Sequence, residues 1–148
     1  MKLLLIQGAN LRSLGQRQGG DYDTPSAVEL DATLRRHAER WDYSLEIVYT
    51  SSEGEAIDTV YDRVEVGIDG ILANPGGFTY HSLALRDCLS YVAPPYIEIH
   101  LTNIDRRGIR SALSSAAVGV VHGFGVDSYL IGLEAMLRHL RHARFQDH

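Results

Sequence analysis

Pro94-Pro95-Tyr96-Ile97-Glu98-Ile99-His100 is a β-branched run behind a proline pair, and it reads as a short strand that ends on an imidazole. Side chains alternate along a strand, so Glu98 and His100 share one face. If the strand is parallel and central, His100 stands at the carboxyl end, where open α/β sheets bind ligands, and Glu98 can orient or charge the ring. A Glu-x-His spacing alone serves structure more often than chemistry. Two further runs add weight: Leu3-Leu4-Leu5-Ile6 passes into Gln7-Gly8-Ala9-Asn10, and Ile68 to Ala73 passes into Asn74-Pro75-Gly76-Gly77. Turn chemistry explains any one such end, but three strands finishing on amide or imidazole groups predict a polar crevice along one sheet edge.

Around these runs the chain alternates strand and helix without a linker, repeat or low-complexity segment. Strands are expected over Leu3 to Gln7, Leu45 to Tyr49, Gly70 to Ala73, Tyr96 to His100 and Ala117 to Val121. Thr24-Pro25-Ser26-Ala27-Val28-Glu29 offers a cap, an N1 proline and a capping box ahead of Leu30, Leu34, Ala38 and Trp41, the apolar face of a helix. Helices are also expected over Glu53 to Val66, over Ser82 to Val92, and in a final segment whose buried face is Tyr129, Leu133, Met136 and Leu140. Five strands joined by right-handed crossovers give an α/β, doubly wound parallel sheet, most simply flavodoxin-like in the order 2-1-3-4-5. That order makes strands one, three and four neighbours, so Asn10, Asn74 and His100 should converge.

The chain has 148 residues, 45% of them hydrophobic, which suits one domain with one substantial core, and its formal charge is −5. Arg138, His139, Arg141, His142 and Arg144 gather at the end of the final helix, where cations complement the helix dipole, and this reading is preferred to nucleic-acid binding. No apolar run approaches the roughly 18 residues that span a bilayer, and Met1 to Ile6 is too short for a signal peptide. A single cysteine, Cys88, excludes an internal disulfide and a thiolate metal cluster. No metal, nucleic acid or membrane partner is expected, and a cytoplasmic location is the default.

The connection Leu11 to Asp23 is long for a βα loop, reads as a lid, and carries Arg17 and Tyr22. A phenol with an ordinary pKa of about 10 is a poor base at neutral pH, but a guanidinium beside it favours the phenolate. Arg17 and Tyr22 are therefore candidates for an activating cation and a base; a surface arginine and a loop-anchoring tyrosine are the plainer reading.

Gln7-Gly8-Ala9-Asn10-Leu11 with Leu14-Gly15-x-Arg17 and Tyr22 resembles the N-terminal signature of type II 3-dehydroquinate dehydratases, usually Asn-Gly-Pro-Asn-Leu, then Leu-Gly-x-Arg and a tyrosine five residues on. Glu53-Gly54-Glu55, Asn74-Pro75-Gly76, Ser82-x-Ala84-Leu85-Arg86-Asp87, Glu98 to Asn103 and Ala117 to Gly125 match further blocks in the same order. The resemblance spans nearly the whole chain and implies a single domain of that type over residues 1–148. It implies a cofactor-free hydro-lyase in which Tyr22 removes a proton alpha to a ketone, Arg17 activates it, Asn10 holds a water against the enolate oxygen, and His100, oriented by Glu98, protonates the departing hydroxyl. The substrate would be a small carboxylate, 3-dehydroquinate, with the reaction in the shikimate pathway, in aromatic amino-acid biosynthesis or in quinate catabolism. Its carboxylate would be received at Leu101 and Thr102, its ring hydroxyls at Asn74, Arg110 and the Tyr80 and His81 positions. Asp87 would reach a neighbouring site in a homododecamer. Lys2 is the sole lysine and lies away from the crevice, which disfavours Schiff-base chemistry.

Several blocks depart from the usual family pattern. Gly77-Phe78-Thr79-Tyr80-His81-Ser82 stands for Ala-Tyr-Thr-His-Thr-Ser, Ser51-Ser52 for Asn-His, Ala9 for Pro, and the segment from Asp105 to Arg110 is one residue short. Proton-transfer residues match while ring-recognition residues differ. Two other readings follow: the same alpha-proton abstraction on another cyclic or polyhydroxy keto acid, ending in dehydration or isomerisation, and a non-catalytic flavodoxin-like binding module using Gly123-Phe124-Gly125.

Overall fold

The computed structural model describes residues 1–16 and 24–147. Five strands, β1 (Lys2–Ala9), β2 (Ser44–Tyr49), β3 (Gly70–Gly76), β4 (Tyr96–His100) and β5 (Gly119–His122), form one parallel sheet in the order β2-β1-β3-β4-β5. The expected flavodoxin-like order is therefore the one found. Helices α1 (Ala27–Trp41), α2 (Glu53–Glu65) and α3 (Leu83–Tyr91) form the first three crossovers, the β4–β5 connection carries only a 3-10 turn over Ser114–Ala116, and a fourth helix, α4 (Asp127–Gln146), follows β5.

Alternation along the strands splits the core into two layers. Leu3, Leu5, Leu72, Ile97 and Ile99 pack with Leu30 and Leu34 of α1 and Leu133 and Met136 of α4. Leu4, Ile6, Ile71, Ala73 and Tyr96 pack on the other side, with Val60 of α2 and Leu85 and Leu89 of α3. No helix among the described residues is long and apolar enough to cross a membrane.

The start of α1 follows its sequence with one shift: Ser26 is the cap, accepting the Glu29 amide at 3.2 Å, so Pro25 lies before the cap and not at the first helical position. Trp41, expected on the buried face, is 38% exposed and stacks on His37, one turn back on the helix, whereas Ala38 of the same turn is buried. Leu137 joins the buried face of α4, while Leu140 is only partly covered. β5 begins at Gly119 because Ala117 closes a 3-10 turn on Ser114.

β1 and β3 run further than expected, to Ala9 and Gly76, which pair with each other. Pro75 is tolerated inside β3 because the β3–β4 ladder ends at Ala73 opposite Glu98, so its missing N–H leaves no β4 acceptor unserved. The two strand ends lie unusually close. A Cβ at Gly8 would stand 2.0 Å from the Pro75 carbonyl oxygen, and Gly76, at φ 55°, leaves only 2.4 Å between such an atom and the Ala9 carbonyl oxygen. Glycine lets the strands meet.

Gly8→Ala is expected to force β1 from β3 and to cost roughly 1–3 kcal/mol in urea unfolding. Gly119→Ala, where nothing lies within 4 Å of the added carbon, serves as the control and should stay within about 0.5 kcal/mol of wild type.

Candidate active site

At the carboxyl end of β4, Glu98 has no exposed surface and His100 is 6% exposed. His100 Nε2 lies 3.0 Å from Glu98 Oε2, a close charge contact without the alignment of a full hydrogen bond, and that nitrogen has no other partner among the described residues. Three hydroxyls donate to the carboxylate: Tyr96 (3.1 Å) and Ser111 (2.8 Å) to Oε1, and Ser114 (2.6 Å) to Oε2. Burial pushes the Glu98 carboxyl up, but the close approach and charge of His100 and the hydrogen bonds from Ser114 and Ser111 outweigh it, so the group sits below its ordinary range. A carboxyl depressed in the fold contributes stability above its unfolded pKa, and that contribution is lost as pH falls through the folded value. Ser111, Ser114 and Tyr96 are absent from the sequence-based candidates. Only the apolar β4 pattern around Tyr96 hinted at any of them.

The second group of polar side chains lies on the opposite face of the sheet. Gln7 and Asn74 are register partners, both buried, and the Tyr129 hydroxyl joins them by donating to Gln7 Oε1 (2.8 Å) while accepting from Asn74 Nδ2 (2.8 Å). Asn74 Oδ1 also accepts the Gly76 amide at 3.2 Å. Gln7 Nε2 is buried with no partner among the described residues. Burial raises the Tyr129 phenol far above its usual value, and it stays protonated as a fixed donor. Tyr129, which the sequence marks only as core, thus sets the orientation of the Asn74 amide.

The expected convergence takes a particular form. Asn74 and His100 come from neighbouring strands but turn to opposite faces, since Ala73 is the residue opposite Glu98. They can be reached together only at the strand tips. Asn10 is there too, in the left-handed conformation (φ 73°), its amide donating to Ser51 Oγ at 3.3 Å. A Cβ at Gly77 would come within 3.6 Å of Asn10 Nδ2, so the Asn10 amide lies over the exit of β3.

Beyond β4, Leu101 is partly buried and its carbonyl accepts the Gly125 amide, while Thr102 is exposed. Arg107, not a sequence-based candidate, donates to the Thr102 hydroxyl at 3.3 Å. Arg110 instead lines an open cleft with Asp105, Ser111, Ser114 and His122. Tyr80 and His81 are exposed on the turn before α3, and Asp87 is exposed on α3 and accepts from Arg86 at 3.0 Å. Ser52 caps α2 through the Glu55 amide. Arg17 and Tyr22 lie outside the described residues.

Comparison with known proteins joins this geometry to a family. Residues 1–137 match the family model described as dehydroquinase class II. A protein of Prochlorococcus marinus (strain MIT 9313) called 3-dehydroquinate dehydratase is 43% identical over 144 residues, covering 95% of this chain and 96% of its own. One of the same name from Carboxydothermus hydrogenoformans is 40% identical, covering 95% and 93%. The crystal structure of a type II dehydroquinase from Butyrivibrio crossotus DSM 2876 superposes with a TM-score of 0.87 at 28% identity over 92% of this chain and 97% of that one. Sequence identity of this extent over nearly the full length of both partners, on the same fold, shows that the chain belongs to the class II dehydroquinase family of hydro-lyases.

Proposed function

We propose that the protein removes water from 3-dehydroquinate to give 3-dehydroshikimate, and that it does so by anti elimination through an enolate. The observation that carries this reading is the buried Glu98–His100 pair at the carboxyl end of β4, in a chain about 40% identical to proteins named for that reaction. Tyr22, as phenolate beside Arg17, takes the proton alpha to the ketone. The electron pair passes to the carbonyl oxygen, where a water held by Asn10 meets the enolate. His100, held by Glu98, gives its proton to the beta hydroxyl, which leaves as water while the enolate re-forms the ketone. The ketone makes the alpha proton acidic enough, so the sequence of steps calls for no cofactor.

Leu101 and Thr102 receive the substrate carboxylate, and the exposure of Thr102 supports that role. Asn74, Arg110, Tyr80 and His81 are assigned to the ring hydroxyls. Asp87, exposed on α3, is assigned to a neighbouring protomer's site in a homododecamer, and one catalytic domain spans the chain. The exposure of both Tyr80 and His81, where the family usually has His and Thr, favours one second reading, the same proton abstraction on another cyclic or polyhydroxy keto acid.

Purified protein mixed with 3-dehydroquinate should develop the ultraviolet absorbance of a conjugated enone. No absorbance change, with deuterium wash-in on a different keto acid, would transfer the assignment to the second reading.

Tyr22→Phe and Arg17→Ala should each lower turnover by about a hundredfold or more while leaving the circular dichroism spectrum unchanged. Near-normal turnover in Tyr22→Phe would remove the proposed base.

His100→Asn separates the two proton transfers. Alpha-proton exchange, followed by deuterium wash-in, should persist better than enone formation, because the enolate can still form without its acid. Equal retention of both rates would make His100 a structural residue.

A further inference from the structure

The cradle around Glu98 is more elaborate than orienting an imidazole requires. Ser111 Oγ accepts the Leu113 amide at 3.1 Å, so its own proton is committed to Glu98 Oε1. Ser114 donates to Oε2, the oxygen that also faces His100. With Tyr96, three hydroxyls donate to one carboxylate of zero exposure, and His100 Nε2 closes on it at 3.0 Å. An ionised carboxylate can accept them all, whereas a protonated one carries a hydrogen of its own and must turn it against one of the donors.

Both serines arrive on a single segment, which is pinned on either side. The Ala112 amide donates to the Thr79 carbonyl at 2.8 Å, Leu113 is fully buried, and the chain then closes a 3-10 turn over Ser114–Ala116. The hydroxyls are thus fixed by the backbone and need little reordering at the moment of reaction.

We propose that Ser111 and Ser114 are positioning residues which hold Glu98 as the anion throughout the pH range in which His100 delivers its proton. The inference deepens the proposed dehydration and rests on His100 acting in it. Among the described residues, few charged and titratable groups lie around the carboxylate. His100 and Tyr96 are on β4, His122 on β5 is the register partner of His100, and Arg110 and Asp105 line the cleft that Ser111 and Ser114 share. From the α2 and α3 side come apolar side chains, Cys88, whose thiol is pushed up by burial, and Glu53 at the start of α2, which accepts from Ser82. Arg110 is exposed and screened by solvent, so the hydroxyls and His100 dominate.

The test is a carbon-13 NMR titration of the Glu98 carboxyl in wild type, Ser111→Ala, Ser114→Ala and Ser114→Thr, paired with kcat and KM against pH on 3-dehydroquinate. Each alanine should raise the proton affinity of Glu98 about tenfold, the scale of one lost hydrogen bond to a charged group, and Ser114→Thr should restore it. The acidic limb of kcat should move toward neutral pH by the same factor with KM little changed. A merely structural role would lower turnover without moving either titration. If Ser114→Ala does not fold, Ser114→Cys keeps the volume and weakens the donor, and it should shift the titration in the same direction. An unshifted Glu98 titration overturns the inference whatever the activity. Absent enone formation in wild type would instead overturn the dehydration reading, and the carboxyl titration would still decide the role of the serines.

Discussion

A negative charge with no exposed surface is the constraint around which the β4 end of the molecule is organised. An isolated buried carboxylate would cost several kcal/mol and would escape by taking up a proton. Glu98 avoids this because the imidazole two residues along its strand, the phenol two residues before it and two serines from the following segment all point at it. The depressed carboxyl pKa is the net outcome of that competition, with burial acting upward and the donors acting downward. Segment 111–116 follows no regular secondary structure beyond its 3-10 turn, and its course follows from delivering those hydroxyls.

The sheet supplies the second constraint. Because side chains alternate, the strand ends cannot place Asn74 and His100 on one face, and the sheet carries two polar networks back to back. Gln7, Tyr129 and Asn74 form one against α4, and Glu98 with its donors forms the other toward the α2 and α3 side. A ligand can address both only where the strands stop. The glycines at 8 and 76 let the tips of β1 and β3 come together there, while pairing on the β4 side has already ended at Ala73, ahead of Pro75, which leaves the edge open. A crevice at this edge is what the sheet order alone makes available.

The order of strands and helices was legible because each has its own period: uninterrupted apolar runs for buried parallel strands and the 3.6-residue spacing of Leu30, Leu34 and Ala38 for α1. The Glu98–His100 pair was legible for the same reason, since the two residues lie within one regular element. Ser111 and Ser114 were not legible, because they act across 13 and 16 residues of chain from a segment with no period. The Tyr129 hydroxyl was hidden differently. Its position marked it as core, and only the fold shows that its far end meets two amides 122 and 55 residues away. Trp41 misled because periodicity says which face a residue is on and not whether its neighbours leave room to cover it; Trp41 stacks on His37 and stays 38% exposed. Arg17 and Tyr22 were proposed from loop chemistry and family resemblance, and they stand outside the residues the structure describes.

The two polar networks also separate the turn that carries Tyr80 and His81 from the Glu98–His100 pair. One tie between that turn and the Glu98 cradle is the bond from the Ala112 amide to the Thr79 carbonyl, which involves main-chain atoms alone. Thr79 is buried, whereas Tyr80 and His81, the next two residues, are exposed. Side chains at 80 and 81 can therefore change while the backbone that positions Ser111 and Ser114 stays where it is. Substitution at Thr79 or Ala112 would act differently, because moving either main chain moves the serines and with them the charge beside His100. The exposed side chains of the turn and the main chain that positions the serines thus lie on adjacent residues but on separable atoms.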